Sequence, residues 1–175
     1  KYLFKITQEI QNNSSKSLEL YPYAQITRNK IPDDIQNFYI SHEGFIGVFD
    51  EELKEDDYDD IEDKKIVRES KEGWFGITDK YWMAALVPKS GESFKSTFLY
   101  QGAFKANYIL NKATSINPSS SNSNEVRLFV AAKEVETIDT YAADQNIEKL
   151  DLVIDWGWFY FFTKPLFFII DYLFK

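Results

Sequence analysis

Few side chains in this sequence have the type and spacing that acid–base catalysis requires. His42 is the only histidine, and no Gly-x-Ser-x-Gly motif accompanies it, so a histidine-based triad lacks its usual companions. Paired carboxylates could support glycoside hydrolysis, but only Asp79, Asp155 and Asp171 lie in otherwise apolar stretches. Asp79 has the context of a turn and Asp155 that of a strand end. We therefore predict a structural or surface role for His42 and no catalytic residue.

A dense acidic run, DEELKEDDYDDIEDK at residues 50–64, has the composition of a calcium-binding loop but not its spacing. It contains ten carboxylates and no glycine, whereas an EF-hand loop needs a glycine at its sixth position. We predict an exposed acidic loop or short helix with Leu53, Tyr58 and Ile61 turned inward. The seven glycines of the chain form no nucleotide-binding motif either. No metal and no cofactor are therefore expected.

The overall charge bears on the partners of this protein. The 175 residues carry 28 acidic and 20 basic side chains, which gives a net charge of −8. A surplus of this sign repels phosphate backbones and anionic lipid surfaces at long range, so we expect no nucleic-acid partner. Hydrophobic residues make up 44% of the chain, enough for a folded core. The absence of cysteine leaves the redox compartment open.

Alternating apolar and polar residues predict β-strands over the first two thirds of the chain. Residues 1–11 and 18–27 flank the turn-forming sequence NNSSKS, so we predict that they pair as an antiparallel hairpin. A short strand is predicted at residues 44–50, where the glycines indicate a bulge or close packing. Residues 73–89 divide at Thr78-Asp79-Lys80 into two β-rich pieces.

Past the middle of the chain, the patterns change from strand to loop and helix. FKSTFLYQ and AFKANYIL, on either side of Gly102, predict one more hairpin. Residues 114–125, TSINPSSSNSNE, are rich in Ser, Asn and Pro and predict a mobile loop. Helical periodicity begins at residues 133–147, where Val135 and Ile138 lie three positions apart. An all-β body followed by helices is the simplest interpretation.

The final residues, 156–175 (WGWFYFFTKPLFFIIDYLFK), are too apolar for an ordinary surface segment. Before them, Leu150, Leu152 and Ile154 predict a strand, and Gly157 between two tryptophans predicts a turn. A helix start is predicted at the following proline, because proline is favoured at the first helical position.

A helix from Pro165 to Phe174 would be about 15 Å long, half the thickness of the hydrocarbon layer, so it cannot span a membrane. Lys164 and Asp171 also interrupt the apolar run. Its apolar side chains nevertheless cover nearly every side of the helix; they are Leu166, Phe167, Phe168, Ile169, Ile170, Leu173 and Phe174. Two coverings are available, the chain's own β body or a membrane interface, where Trp and Tyr rings are favoured and Lys can snorkel.

Two stretches of the sequence closely resemble the large periplasmic domain of the YidC/Oxa/Alb family of membrane protein insertases. In LDLVIDWGWFYFFTKPLF, the family pattern of a Leu-Asp pair, an aromatic-Gly-Trp turn and a helix start falls at Leu150-Asp151, Trp156-Gly157-Trp158 and Pro165-Leu166-Phe167. In GWFGITDKYWMAALVP, the matching positions are Gly73-Trp74 and Asp79-Lys80-Tyr81-Trp82.

The resemblance also has a departure and a boundary. Ala131-Ala132 stands where the family usually has Gly-Pro, which affects the geometry of that turn. The resemblance covers essentially the whole chain but only the later part of the family's periplasmic domain. We therefore expect a piece of a longer protein whose membrane-embedded core lies elsewhere.

The resemblance implies a mainly β fold, a fragment of a β-supersandwich similar to galactose mutarotase, with C-terminal α-helices. It implies a partial periplasmic β-sandwich domain at residues 1–155. Residues 156–175 would then be a linker and an interfacial helix leading to a second transmembrane segment, at the periplasmic face of a bacterial inner membrane. The residues expected at the membrane interface or a partner are Trp156, Trp158, Phe159, Pro165, Leu166, Phe167, Phe168, Ile170 and Phe174.

The function implied by the resemblance is assistance to the insertion and folding of membrane proteins, alone or with the Sec translocon. The chain itself would act as a docking module for nascent membrane proteins, for the translocon and for its auxiliary proteins, and not as an enzyme. The alternative is a carbohydrate-binding protein or a mutarotase-like sugar epimerase, which rests on fold analogy and which a single His42 disfavours. If opening strands of the sandwich are missing, exposed edges predict a dimer.

Overall fold

The computed structural model describes residues 1–32, 42–157 and 160–174. Within these ranges the chain is mainly β. Its strands are β1 (Leu3–Gln11), β2 (Leu18–Leu20), β3 (Tyr23–Arg28), β4 (Gly44–Phe49), β5 (Glu52–Asp56), β6 (Ile66–Ser70), β7 (Gly73–Thr78), β8 (Trp82–Val87), β9 (Phe94–Tyr100), β10 (Phe104–Leu110), β11 (Thr114–Ile116) and β12 (Ser121–Ala132). The helices are α1 (Tyr58–Asp63), α2 (Val135–Asp144) and α3 (Tyr160–Phe174), and a 3-10 turn covers Leu150–Val153.

The strands form two facing antiparallel sheets and one small ribbon. The larger sheet has six strands in the order β1-β12-β8-β7-β4-β5, and the smaller sheet has four in the order β3-β10-β9-β6. Strands β2 and β11 pair with each other outside these sheets. This arrangement confirms the predicted mainly β, sandwich-like class with a C-terminal helix.

An aromatic core fills the space between the two sheets. Strands β9 and β10 alternate buried and half-buried residues, as expected for strands with one face on a core. The ring of Phe98 is fully buried and lies 4.9 Å from the ring centroid of Phe45 and 5.9 Å from that of Phe75. Such ring clusters bury large apolar areas and hold the two sheets together.

A second core lies on the opposite face of the six-stranded sheet. There α2 and the 3-10 turn cover the sheet, and Ile138, Leu150 and Val153 are buried against it. The indole Nε1 of Trp74 donates a hydrogen bond to the carbonyl oxygen of Glu148, 3.1 Å away. Because both of its faces are covered, β4 is buried along its whole length.

Several local predictions are confirmed. Strands β7 and β8 pair across the turn at Asp79, and β9 and β10 form the hairpin around Gly102. Gly47 packs closely, because a Cβ there would lie 2.7 Å from the Cβ of Phe75. In the acidic run, Tyr58 and Ile61 of α1 are buried as predicted. The loop or short helix predicted for the whole run is wrong for Glu52–Asp56, which form β5 because they pair with β4.

The predicted hairpin between residues 1–11 and 18–27 is wrong. Strand β1 pairs with β12, β2 with β11, and β3 with β10. Alternating side chains indicate a strand but not its partner, and all three pairings join segments distant in sequence.

Two further segments differ from the predictions. Residues 114–125 were predicted to be a loop, but they contain β11 and the start of β12. The buried side chain of Asn12 donates to the carbonyl oxygen of Ile116 at 2.8 Å, which fastens this polar segment to the body. The strand predicted at residues 150–154 is a 3-10 turn, because Lys149 before it adopts a left-handed conformation with φ +56°.

Candidate membrane-interface site

Helix α3 presents its apolar side chains to the outside. The exposed fraction of its large apolar and aromatic side chains runs from 40% at Phe167 to 89% at Phe174. No described residue of α3 belongs to the core between the sheets or to the core beneath α2. The sequence left two possible coverings for these side chains, the β body and a membrane interface. In this structure the β body does not cover them.

The charged residues of α3 show the reverse pattern. Lys164 and Asp171 are half-buried while their apolar neighbours are exposed. They lie seven residues apart, or about two turns, so they share one face of the helix. Soluble proteins place charges outward and apolar groups inward. Helix α3 therefore exposes its apolar side chains and partly covers its charged ones.

A hydrogen-bonded turn at residues 155–157 follows the body. The carboxylate Oδ1 of Asp155 accepts a hydrogen bond from the amide of Gly157 at 2.7 Å. Gly157 has a φ of +68°, a left-handed conformation that favours glycine. The hydroxyl of Thr163 donates to the carbonyl oxygen of Trp156 at 2.8 Å. These bonds fix where the helix leaves the body.

Trp156 packs against the first half of α3. Its ring centroid lies 5.5 Å from that of Phe167 in an edge-to-face arrangement. The ammonium of Lys164 lies over the same indole, 5.8 Å from its centroid, within the range of a cation–π interaction. An indole with a neighbouring lysine is the pair that favours the boundary between lipid and water.

The body provides a fixed platform for this turn. The Nζ of Lys149 donates to the carbonyl oxygen of Glu51 at 2.8 Å. The guanidinium of Arg127 donates to the carbonyl oxygen of Gln145 at 2.7 Å. The segment between α2 and α3 is thereby attached to the six-stranded sheet.

The structure describes seven of the predicted site residues, six on α3 and one at Trp156, four positions before the helix begins. Trp156 is half-buried, and the six residues exposed on α3 are Pro165, Leu166, Phe167, Phe168, Ile170 and Phe174. Trp158 and Phe159 lie outside the described residues. Phe161, Phe162 and Tyr172 are also exposed and were not among the predicted residues, although the same apolar run contains them. The interfacial role of all these residues stays a prediction.

The predicted start of the helix is wrong. Pro165 lies inside α3, five residues after Tyr160. Proline lacks the amide that would donate to the residue four positions before it. A helix with an exposed surface tolerates this loss, and the side chain of Thr163 adds a bond in the same turn. In the part of the chain that the structure describes, no helix combines the length and apolarity that a membrane span needs.

The sites considered for catalysis have no matching geometry. The Nε2 of His42 lies 2.9 Å from the carbonyl oxygen of Phe45, and its Nδ1 lies 3.5 Å from the carboxylate of Asp57. Among the described residues, no group of His, Asp or Glu side chains could hold a metal. A cleft of about 430 Å³ lies beside β1, and neither a histidine nor a carboxylate lines it.

Burial is the largest cause of the shifted pKa values of Tyr58 and Lys133. Burial is the largest cause that raises the pKa of Tyr58 above its usual range. Burial likewise lowers the pKa of Lys133, against the opposing effect of nearby carboxylates that include Glu43. Neither group belongs to an acid–base pair with opposed roles.

Comparison with known proteins identifies relatives over the whole chain. The model of the YidC periplasmic domain family matches residues 1–169. The membrane protein insertase YidC of Pelagibacter ubique is 49% identical over 174 residues, which cover 99% of this chain and 31% of that protein. The protein of the same name from Brucella melitensis is 38% identical over 180 residues, which cover 99% of this chain and 30% of that protein. The chain spans less than a third of these relatives, and it belongs to the YidC periplasmic domain family.

Proposed function

We propose that this chain is an extracytoplasmic docking module of an inner-membrane protein insertase, facing the periplasm, and that α3 rests in the membrane interface. The observation that carries the proposal is the reversed polarity of α3, with exposed phenylalanines and half-buried Lys164 and Asp171. Family membership supports the compartment, because the relatives are named membrane protein insertases. An interfacial helix buries its apolar face at the boundary between headgroups and acyl chains.

The proposed division of labour follows the chain. Residues 1–155 form the β module, and residues 156–175 form a linker and an interfacial helix that leads toward a transmembrane segment. The support is that no residue after Ile154 packs in either core, and α3 contributes no described side chain to them. Such a helix holds the module at a set height above the bilayer.

The proposed partners of the module are nascent membrane proteins, the Sec translocon and its auxiliary proteins. Tyr81 and Trp82 support a protein-binding surface on the body, since they are 64% and 58% exposed at the turn between β7 and β8. Exposed Tyr and Trp side chains are enriched at protein interfaces. Photo-crosslinking from position 82 in a full-length insertase should capture a translocon subunit, and a crosslink pattern equal to that from position 67 would contradict this assignment.

We further propose that the chain associates with itself, because within the described residues the outer strands of both sheets have one neighbour each. Strands β1 and β5 are the outer strands of the larger sheet, and β3 and β6 those of the smaller one. Unpaired edges favour association with another strand. Light scattering of the purified chain should give the mass of a dimer, and a monomer at every concentration would contradict the proposal.

Vesicle flotation tests the membrane role of α3. The 175-residue chain is mixed with vesicles of phosphatidylethanolamine and phosphatidylglycerol, with Ile170→Glu as the variant and Val67→Glu as the matched control. Both positions are exposed and apolar, at 47% and 45%, but Val67 lies on β6. We expect Ile170→Glu to lower the bound fraction about tenfold, because a charge at a lipid-facing position costs about 1–3 kcal/mol.

An insertion assay tests the functional consequence. In a full-length insertase that carries this segment, Ile170→Glu should slow insertion of a simple membrane protein, whereas Val67→Glu should not. Undiminished insertion by the Ile170→Glu variant would mean that α3 is only a spacer. Titration with galactose or glucose tests the carbohydrate alternative, and heat at millimolar sugar would favour it.

A further inference from the structure

Helix α2 runs along the six-stranded sheet from one end to the other. Just before it, the amide of Lys133 donates to the carbonyl oxygen of Tyr81 at 2.8 Å, at the end where β7 turns into β8. Just after it, Arg127 donates to the carbonyl oxygen of Gln145 at 2.7 Å, and Arg127 pairs with Val87, the last residue of β8. The helix is about 15 Å long, which matches the roughly 17 Å between the first and last residues of β8. We call these two ends of the module the β7–β8 end and the β8–β9 end.

After α2 the chain turns back toward the β7–β8 end. Residues 146–148 still lie at the β8–β9 end, where they line a small cavity beside Pro88. The 3-10 turn then packs in the same core as α2. Burial lowers the pKa of Lys133, and the charges of nearby carboxylates, among them Asp79 and Asp155, oppose this effect. Both carboxylates therefore lie near Lys133, and at Asp155 the chain has returned to the β7–β8 end.

The first half of α3 lies at this same end. Trp156 follows Asp155 directly, and its ring packs against that of Phe167, with 5.5 Å between the centroids. The hydroxyl of Thr163 donates to the carbonyl oxygen of Trp156, and the ammonium of Lys164 lies over its indole. The β7–β8 end of the module therefore carries both the start of α3 and the exposed turn between β7 and β8.

We infer that the surface formed by Tyr81 and Trp82 lies at the level of the bilayer surface, and that its partner is the stretch of a membrane protein that leaves the bilayer beside a transmembrane helix. The inference rests on the proposed membrane role of α3 and deepens the proposed docking role. When α3 lies in the interface, the β7–β8 end faces the membrane and the β8–β9 end faces away from it. Tyr and Trp rings, with an apolar body and a polar tip, suit this boundary.

A polypeptide suits this surface better than lipid headgroups do. Asp155, at the same end, is exposed, and an exposed carboxylate repels the phosphates of lipid headgroups. A peptide backbone carries no net charge and meets no such repulsion. The ammonium of Lys80 lies 5.3 Å from the ring centroid of Tyr81, so part of the local positive charge is already directed onto an aromatic ring. Exposed Tyr and Trp side chains are also enriched at protein interfaces.

Fluorophores at single cysteines measure the height of each end above the bilayer. The chain has no cysteine, so Tyr81→Cys and Ser90→Cys each introduce one labelling position, and the two positions lie at opposite ends of β8. We expect a quencher on lipid headgroups to quench the label at position 81 about threefold more than the label at position 90, because the ends are about 17 Å apart. Equal quenching at positions 81 and 90 would overturn the inference.

A label at Ile170→Cys separates the possible failures, because it reports on α3 alone. If acyl-chain quenchers reach position 170 but headgroup quenchers do not reach position 81, α3 lies in the membrane and only the inference falls. If no label responds to vesicles, the proposed membrane role of α3 fails as well. Quenching of position 81 by acyl-chain quenchers would show that lipid covers the Tyr81–Trp82 surface, and would overturn the assignment of a polypeptide partner.

Mapped crosslinks identify the partner segment. A photoreactive residue is placed at position 81 or 90 of a full-length insertase that carries this segment, in the presence of a stalled nascent membrane protein with one transmembrane helix. We expect position 81 to capture residues within about ten positions of that helix, because ten extended residues reach only about 33 Å. Position 90 should capture the nascent chain with a several-fold lower yield. Equal yields from both positions, or capture only of residues far from the helix, would contradict the inference.

Discussion

The β body and helix α3 use the same side chains in opposite environments. Phe98 in the body is fully buried, whereas Phe162 in α3 is 68% exposed. The charged groups have different partners, since Arg68 on β6 pairs with Asp56 on β5 while Lys164 lies over the indole of Trp156. The difference shows that apolar content does not by itself mark a core. The medium that covers a segment must be inferred from its neighbours.

The comparison also separates two kinds of stability. In the two cores of the body, large apolar side chains are covered by other parts of the same chain, so their burial contributes to the free energy of unfolding. In α3 the same burial would come from lipid and would contribute to the free energy of binding. Variants should therefore divide cleanly between the two measurements.

The largest expected effect is in the aromatic core. Phe98→Ala should lower the free energy of unfolding by about 4 kcal/mol, because it leaves a cavity between the sheets. Phe162→Ala is the matched change in α3 and should lower it by less than about 0.5 kcal/mol. Denaturant unfolding measures both. Equal losses would show that α3 packs as part of the body.

The next effect concerns charge. The guanidinium of Arg68 binds both carboxylate oxygens of Asp56, at 2.7 and 2.9 Å, and lies 5.5 Å from the ring centroid of Phe98. Arg68→Met should lower the free energy of unfolding by about 3 kcal/mol, because a buried carboxylate is left without its partner. Lys164→Met, which removes the cation over Trp156, should cost less than about 1 kcal/mol. A small loss for Arg68→Met in the same unfolding experiment would show that Asp56 is well solvated.

The glycines of the two regions provide a matched backbone test. Gly157 and Gly102 have φ values of +68° and +67°. At both positions the Cβ of an alanine would have no contact within 4 Å. Alanine costs about 1 kcal/mol in this conformation. We expect Gly102→Ala to lower the free energy of unfolding by that amount and to leave vesicle binding unchanged. Gly157→Ala should leave the free energy of unfolding unchanged and weaken vesicle binding about fivefold. A loss of stability from Gly157→Ala together with a loss of vesicle binding from Gly102→Ala would contradict the proposed roles.

The smallest effect depends on pH. Hydrogen bonds from the amide of Lys71 and the hydroxyl of Ser70 hold the pKa of Asp50 below its usual value of 3.8. A carboxyl group with a lowered pKa in the folded state stabilises the fold above 3.8, and this stabilisation is lost as the pH falls. The difference in unfolding midpoint between Asp50→Asn and the original chain should therefore shrink in acid. A difference that persists unchanged at low pH would point to a packing effect.

The sequence predicted local pairings well and distant pairings poorly. The hairpin of β9 and β10 needs only one turn at Gly102, so alternation and a glycine define it. Strand β1 instead pairs with β12, more than a hundred residues later, and nothing in its own alternation identifies that partner. The polar composition of residues 114–125 likewise predicted a loop, although the segment contains β11 and the start of β12. The backbone hydrogen bonds of these strands go to β2 and β1, which the composition of the segment does not indicate.

The candidate site was predictable in composition and less so in geometry. The apolar run was evident from the sequence, as was the turn at Gly157. The half-buried position of Lys164 was not evident from the sequence, because it depends on the packing of Trp156 against α3. The preference of proline for the first helical position did not decide where α3 begins. The apolar residues before Pro165 are also part of the helix.

The depth of α3 in a lipid bilayer is the most direct test of the account. Spin labels are placed at single cysteines in positions 166, 170 and 173 of α3, at half-buried position 171, and at position 67 of the body, in a chain that has no cysteine of its own. With vesicles present, we expect high oxygen accessibility at 166, 170 and 173, an intermediate value at 171 and the aqueous value at 67. Aqueous values at all five positions would contradict the claim that α3 lies in the membrane interface.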